Sequence, residues 1–306
     1  MRRMPKTSSF KKGFTLIEIM VATVVMVIMV GLVVQITSEV LKVWTRSSDK
    51  LSANAQARIA LDLITSDLET AVFRNNGLCW LEAKQEEVPN PLNIPTLQTT
   101  LLYLFAPALD RPKTDVNDNS VPGDICAISY ELVYQDPVDG DDDPLDNTFA
   151  LHRRLIDSKT TFESLLGEGN QETFTKWRQT GVGAEIPLPP PGNYPQTSDS
   201  GYFLASNIID FRVDFYYVDA AGDSQLAPSV PSLAYGGTGS TLGPGSTNNF
   251  SIAYAEVKLR VLSNQAMDQL RRDPSVAQSG FDDLEQFIAA NSEVYTRRVR
   301  LHSQPI

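Results

Sequence analysis

The chain has 306 residues, 42% hydrophobic and 21% charged, the balance of an ordinary globular protein of one or two domains. Five bases (Arg2, Arg3, Lys6, Lys11, Lys12) and no acid lie in residues 1–13, so residues 14–306 hold the other 21 bases against 37 acids. An acidic body of this kind speaks against nucleic-acid binding, because phosphate contacts need clustered Lys and Arg.

The first predicted element follows the basic segment directly. Ile19 to Ser38 is a run of 20 residues without a charge, most of them apolar. At ~1.5 Å per residue a helix of that length spans about 30 Å, enough to cross a hydrocarbon core. All the leading bases precede it, so the positive-inside rule places the N-terminus in the cytoplasm and the body outside, in a single pass. No small-residue cleavage site of the ordinary secretory kind follows the run near Gln35–Lys42. Glu18 stands out, because an unpaired carboxylate inside a membrane costs about 2.5 kcal/mol or more.

The stretch "KKGFTLIEIMVA" (11–22) resembles the N-terminal signal of type IV pilins and of the pseudopilins of type II secretion. The likeness joins basic leader, Gly, Phe, acid and apolar run at fixed spacing over about twenty-five residues. It implies a leader, residues 1–13, removed by a prepilin peptidase that cuts between Gly13 and Phe14, with N-methylation of Phe14. It also implies that Glu18 is an assembly residue, pairing with the new α-amine of a neighbouring subunit and setting the axial register of packed helices. Other pilin-like subunits and an inner-membrane assembly platform are the implied partners. No cofactor is implied.

The helical pattern continues beyond the apolar run. Residues 14–38 read as the membrane-spanning and assembly half of a stalk helix, and 39–74 as its amphipathic half. Ala57, Leu61, Ile64, Leu68 and Val72 recur at spacings of three or four, while Arg58, Asp62, Ser66, Asp67 and Glu69 fill the other positions. No proline occurs between Phe14 and Arg74, and Asn75-Asn76-Gly77 supplies a stop. Many major pilins carry a proline in the membrane half of this helix. Its absence here favours a minor subunit, although Gly31 could loosen the helix.

Residues 75–306 read as a β-rich periplasmic head. Strands are expected in "TLLYLFA" (100–106), "ICAISYELVY" (125–134), "FALHRRLI" (149–156), "IIDFRVDFYYV" (208–218), "SIAYAEVKLRVL" (251–262) and "VYTRRVRL" (294–301), all rich in β-branched and aromatic residues. Phe211, Val213 and Phe215 share one face by alternation. "IPLPPPGNYP" (186–195) favours extended polyproline conformation, "GGTGSTLGPGSTNN" (236–249) a flexible connector, and "DDLEQFIAAN" (282–291) a short helix. The expected class is α+β: a long N-terminal helix, membrane-spanning in its first half, packed on a mostly antiparallel sheet. In style the strand pattern is similar to a minor pseudopilin of J type.

Other clusters have plain readings. Cys79 and Cys126 belong to no CxxC pair; outside the cytoplasm they either form one disulfide or remain two thiols. "DPVDGDDDPLDN" (136–147) places six aspartates together, which suits Ca²⁺, yet the spacing is not that of an EF-hand and a solvated acidic loop explains it better. His152 and His302 have no second metal ligand nearby in sequence, and the bases of "HRR" (152–154) and "RRVR" (297–300) are expected to pair with acids. No nucleophile elbow, zinc-protease, P-loop or dinucleotide motif is present. Three functions remain: a non-enzymatic pilin-like subunit assembled into a pseudopilus or pilus; a single-pass membrane-anchored periplasmic binding protein that keeps its leader; and a membrane-tethered enzyme, which no motif supports.

Overall fold

The computed structural model describes residues 15–88, 98–108, 124–137, 147–156, 161–166, 203–227, 232–237, 240–246, 248–272 and 283–302, with Leu92, Ser158 and Phe281. The chain divides into two compact units between Ser48 and Asp49. One helix, α1 (Leu16–Glu69), passes through both.

In the second unit α1 lies against strands. Ala57, Ala60, Leu61, Ile64 and Leu68 are buried, as their helical spacing predicts. Full burial of each larger side chain stabilises this contact by roughly 1.5–3 kcal/mol. The helix ends at Glu69, short of the Arg74 expected from sequence. The reason lies in the chain's next partner: Val72 N donates to Phe105 O at 2.8 Å, so the backbone leaves the helix to run beside a strand.

Six antiparallel strands form the larger sheet: β1 (Leu81–Glu87), β2 (Gln98–Pro107), β3 (Ile125–Gln135), β4 (Thr148–Ile156), β5 (Phe203–Ser206) and β8 (Ser232–Tyr235), in the order β5-β4-β3-β2-β1-β8. A single π-helical turn, Thr161–Leu165, follows β4. Four more antiparallel strands, β6 (Ile208–Val218), β7 (Ser224–Leu226), β9 (Ile252–Leu262) and β10 (Ser292–Arg300), form a second sheet in the order β10-β9-β6-β7. Helices α2 (Asn264–Arg272) and α3 (Leu284–Asn291) connect β9 to β10. Asp283 caps α3 by accepting from Gln286 N at 2.7 Å. The architecture is α+β, with two sheets where the sequence suggested one.

Every strand expected from alternation is present, and Phe211, Val213 and Phe215 are all buried on one face. The β3–β4 pair and the β6–β9–β10 group form as the sequence implied. The chain passes from one sheet to the other through Asn207, the one residue between β5 and β6. Its φ of 59° is left-handed, which asparagine tolerates better than most residues. Its side chain accepts from Thr148 Oγ1 at 2.7 Å and donates to Asn264 Oδ1 at 2.5 Å, and Leu262 N donates to its carbonyl at 2.8 Å. These bonds hold the switch point within the folded core. Two threonines of β2 join the sheets as well: Thr99 Oγ1 donates to Phe211 O, and Val213 N donates to Thr100 Oγ1.

The glycine-rich stretch 236–249 departs from its expectation as a flexible connector. Gly236 N donates to Leu242 O at 3.0 Å, Thr241 N and Leu242 N both donate to Ala234 O, and Leu242 is buried. Gly243 takes φ +87°, and a Cβ there would stand 2.6 Å from the Tyr235 ring. The glycines serve tight turns packed on β8 rather than linker mobility.

Asp67 is the second departure. Sequence spacing put it on the polar side of α1, yet it is buried. Tyr130 and Arg153 sit opposite one another on β3 and β4 and so share the face that meets it. Arg153 Nε donates to Asp67 Oδ2 at 2.8 Å and Nη2 to Oδ1 at 3.0 Å, a two-pronged fork. Tyr130 OH also donates to Oδ2, at 2.5 Å. Burial, then the Asp67 charge, pushes the Tyr130 phenol well above its ordinary pKa, so it stays a donor. Asp67→Ala leaves the Arg153 guanidinium buried without its carboxylate and is expected to destabilise the protein by about 3–5 kcal/mol. Tyr130→Phe, which removes one bond, should cost about 1–2 kcal/mol. Urea denaturation of the detergent-solubilised chain measures both; an Asp67→Ala midpoint equal to wild type would contradict the ion-pair account.

Candidate assembly site

The first part of α1 is built from residues that have no place in water. Twenty large apolar side chains from Leu16 to Trp44 are exposed, valines foremost among them. β-Branched residues are mediocre helix formers in water, but a lipid surround leaves the backbone no other partner than itself. The few polar groups follow the same logic: Thr23 donates to Met20 O at 2.8 Å, Thr37 to Val33 O at 2.8 Å and Thr45 to Leu41 O at 2.9 Å. Each hydroxyl is satisfied inside the helix and leaves the surface apolar. Among the described residues α1 is the one helix long and apolar enough to cross a membrane. Charge returns at Glu39, which pairs with Lys42 at 3.3 Å. A Cβ on Gly31 would meet nothing within 4 Å, so no close approach inside the chain demands that glycine.

Glu18 sits in the first turn of α1. Thr15 N and Thr15 Oγ1 both donate to Glu18 Oε2 at 2.9 Å, and Glu18 N donates back to Thr15 Oγ1 at 3.3 Å. This reciprocal arrangement is a capping box, with threonine at the N-cap and glutamate three residues on. The partial positive charge of the helix N-terminus favours the carboxylate at that place. Both Thr15 bonds fall on Oε2. No donor among the described residues reaches Oε1. The Thr-x-x-Glu spacing in "TLIE" carries this signal in the sequence itself. Gly13 and Phe14, the expected cleavage pair, lie outside the described residues.

The other candidate residues are not brought together with it. Cys79 and Cys126 stand as thiols, not as a disulfide. Cys126 lies on β3 opposite Ala106 of β2, and Cys79 lies two residues before β1. His152 is buried, and burial lowers its pKa to about 4 even though Nδ1 lies 3.1 Å from Ala150 O, so the imidazole is neutral. His302, at the other end of the sequence, is exposed. Most of the acidic stretch 136–147 lies outside the described residues, and among the described residues no three His, Cys, Asp or Glu side chains form a group that could hold a metal ion. Three of the bases in these runs pair with acids: Arg153 with Asp67, Arg297 with Asp62 and Arg298 with Glu256. Shallow concavities run along α1 past Ile17, Glu18, Val21 and Ala22 and again past Val33, Thr37 and Leu41, and another lies by Lys50, Ala53, Val261 and Tyr295.

Comparison with known proteins agrees with the N-terminal geometry. Residues 8–34 match the family model described as the prokaryotic N-terminal methylation motif. No curated protein sequence matches the chain. Among solved structures, a type IV-like pilin from Thermus thermophilus is similar at 12% identity, over 83% of this chain and 98% of that one, with a TM-score of 0.37. A score at that level does not establish a shared fold. The motif implies processing by a prepilin peptidase and assembly with other pilin subunits, and with the apolar helix that follows it fits a membrane-anchored protein. This chain carries the prokaryotic N-terminal methylation motif over residues 8–34, in keeping with the type IV pilin-like superfamily that its N-terminus resembles.

Proposed function

We propose that the chain is a non-enzymatic pilin-like subunit, cut between Gly13 and Phe14 by a prepilin peptidase, N-methylated on Phe14 and assembled through α1 into a pseudopilus or pilus. The observation that carries this reading is the methylation motif at residues 8–34 running straight into a helix whose surface between Glu18 and Glu39 is exposed, uncharged and almost wholly apolar. Such a surface is stable in lipid or against other helices of its kind, and not in water. In this reading the head is periplasmic, the helix rests in the inner membrane before assembly, and an inner-membrane platform inserts it into the fibre. The finer role is that of a minor pseudopilin of type II secretion. The β3–β4 and β6–β9–β10 pairings and the proline-free stretch from Phe14 to Arg74 support it.

The two free ends of the first turn have one use in common. Cleavage creates an α-amine on Phe14, cationic near neutral pH. Glu18 keeps its Thr15 cap through Oε2 while Oε1 receives the amine of a neighbouring subunit. One observation favours a different reading, a single-pass anchored binding protein that keeps its leader: the Thr15 cap already satisfies part of the carboxylate without a neighbour.

Two substitutions separate the readings. Gly13→Val puts a branched side chain at the residue before the cut and should leave uncleaved precursor in the membrane, seen as the larger band in an immunoblot. Normal maturation of that variant would reject the cleavage assignment. Glu18→Leu removes a membrane charge costing on the order of 2 kcal/mol and should leave processing intact. Its recovery with other pilin-like subunits after detergent extraction should fall at least about tenfold, the loss of one charge-assisted bond. Undiminished recovery would reject Glu18 as an assembly residue and leave the cleavage assignment standing.

A further inference from the structure

The two sheets end in four edges, and three of them are closed to strand addition. β7 has 3 residues, and β5 has 4 with a register shift against β4. β8 also has 4, and Leu242 bridges it at Tyr235. Short, irregular or covered edges are the usual protection against pairing with another chain. Among the described residues β10 has none of these. It keeps continuous register with β9 over nine pairs, from Ser292 opposite Leu262 to Arg300 opposite Tyr254, with no bulge and no proline.

The direction of its free groups can be read from the ends of the ladder. Leu301 N donates to Ala253 O and Ser263 N donates to Asn291 O, so the odd-numbered residues of β10 exchange bonds with β9. The N–H and C=O groups of Val294, Thr296, Arg298 and Arg300 therefore point away from the sheet. All four residues are exposed, Val294 at 57%. Their side chains share the outer face with Tyr254 and Tyr216, which stack at 4.6 Å, and the Arg298 guanidinium lies 5.5 Å over the Tyr254 ring.

We infer that β10 is a strand-addition site for an extended acidic segment of another protein. Charge selects the occupant. β10 carries Arg297, Arg298 and Arg300 against Glu293 on a chain whose residues 14–306 are strongly acidic. Arg297 and Arg298 are already bound to Asp62 and Glu256, so they do not repel an incoming strand, while Arg300 has no carboxylate partner among the described residues. An incoming strand with an acid opposite Arg300 and an apolar residue opposite Val294 gains main-chain bonds, one ion pair and one apolar contact. The inference rests on the second sheet alone and is independent of the pilin-like reading.

The test uses the full chain in detergent and a fluorescent nine-residue threonine peptide with aspartate at position 2 and valine at position 8, six residues apart as Arg300 and Val294 are, with lysine in place of the aspartate as control. The aspartate peptide should bind, by anisotropy, and slow hydrogen exchange in the fragment holding residues 292–301. Thr296→Pro deletes one outward N–H and no bond to β9, so the protein should unfold at the wild-type denaturant concentration while peptide affinity falls about tenfold or more. Arg300→Glu should weaken the aspartate peptide and strengthen the lysine peptide. Absent binding, binding indifferent to Thr296→Pro, or equal binding of both peptides would overturn the inference. So would a dimer that protects 292–301 without peptide, which would make the occupant a second copy.

Discussion

The Asp67 carboxylate, gripped by the Arg153 fork and the Tyr130 phenol, fixes where α1 meets the larger sheet. A buried pair of this kind contributes little net stability compared with apolar residues of the same shape, but it strongly penalises any placement that separates the partners. Apolar contacts from Ala57 to Leu68 supply attraction without choosing a register. The ion pair supplies the register. Rotating α1 by one residue would strand a guanidinium inside the protein. With the helix fixed, β3 and β4 are fixed under it, and Asn207 then turns the chain into the second sheet at a single residue.

The two parts of α1 answer to different solvents. Between Glu18 and Glu39 the surface carries no charge and is almost wholly apolar, and Thr23 and Thr37 turn their hydroxyls back onto helix carbonyls. From Asp49 onward one stripe is buried, and charged residues such as Asp62 reach β10 from the flank. Glu18 belongs to the first part and obeys its rule: an ionised group is kept there only with donors at hand. Thr15 provides two of them. Both of these bonds fall on one carboxylate oxygen, Oε2.

Much of this was legible in the sequence, for physical reasons that differ by element. β6 announced itself because Phe211, Val213 and Phe215 alternate with Asp210, Arg212 and Asp214 on a sheet with one wet face. β1, "LEAKQEE", did not, since Glu, Lys and Ala favour helices; it is a strand because β2 and β8 pair with both its edges. Asp67 was unreadable because its partners lie 63 and 86 residues away. The 236–249 stretch misled because glycine composition is the same for a loose linker and for turns that need positive φ. At the N-terminus, the resemblance to a pilin signal is what implied the roles of Gly13, Phe14 and Glu18. The Thr15 cap was visible there too, as a local motif overshadowed by the charge in the apolar run.

The mature N-terminus decides between an assembled subunit and a simple anchor. Intact-mass and fragmentation spectra of the chain, purified from membranes of a bacterium that expresses a prepilin peptidase, read it without any substitution. The proposed function predicts a chain that begins at Phe14 and carries a methyl group on its α-amine. A chain that still begins at Met1, with residues 1–13 in place, would contradict it.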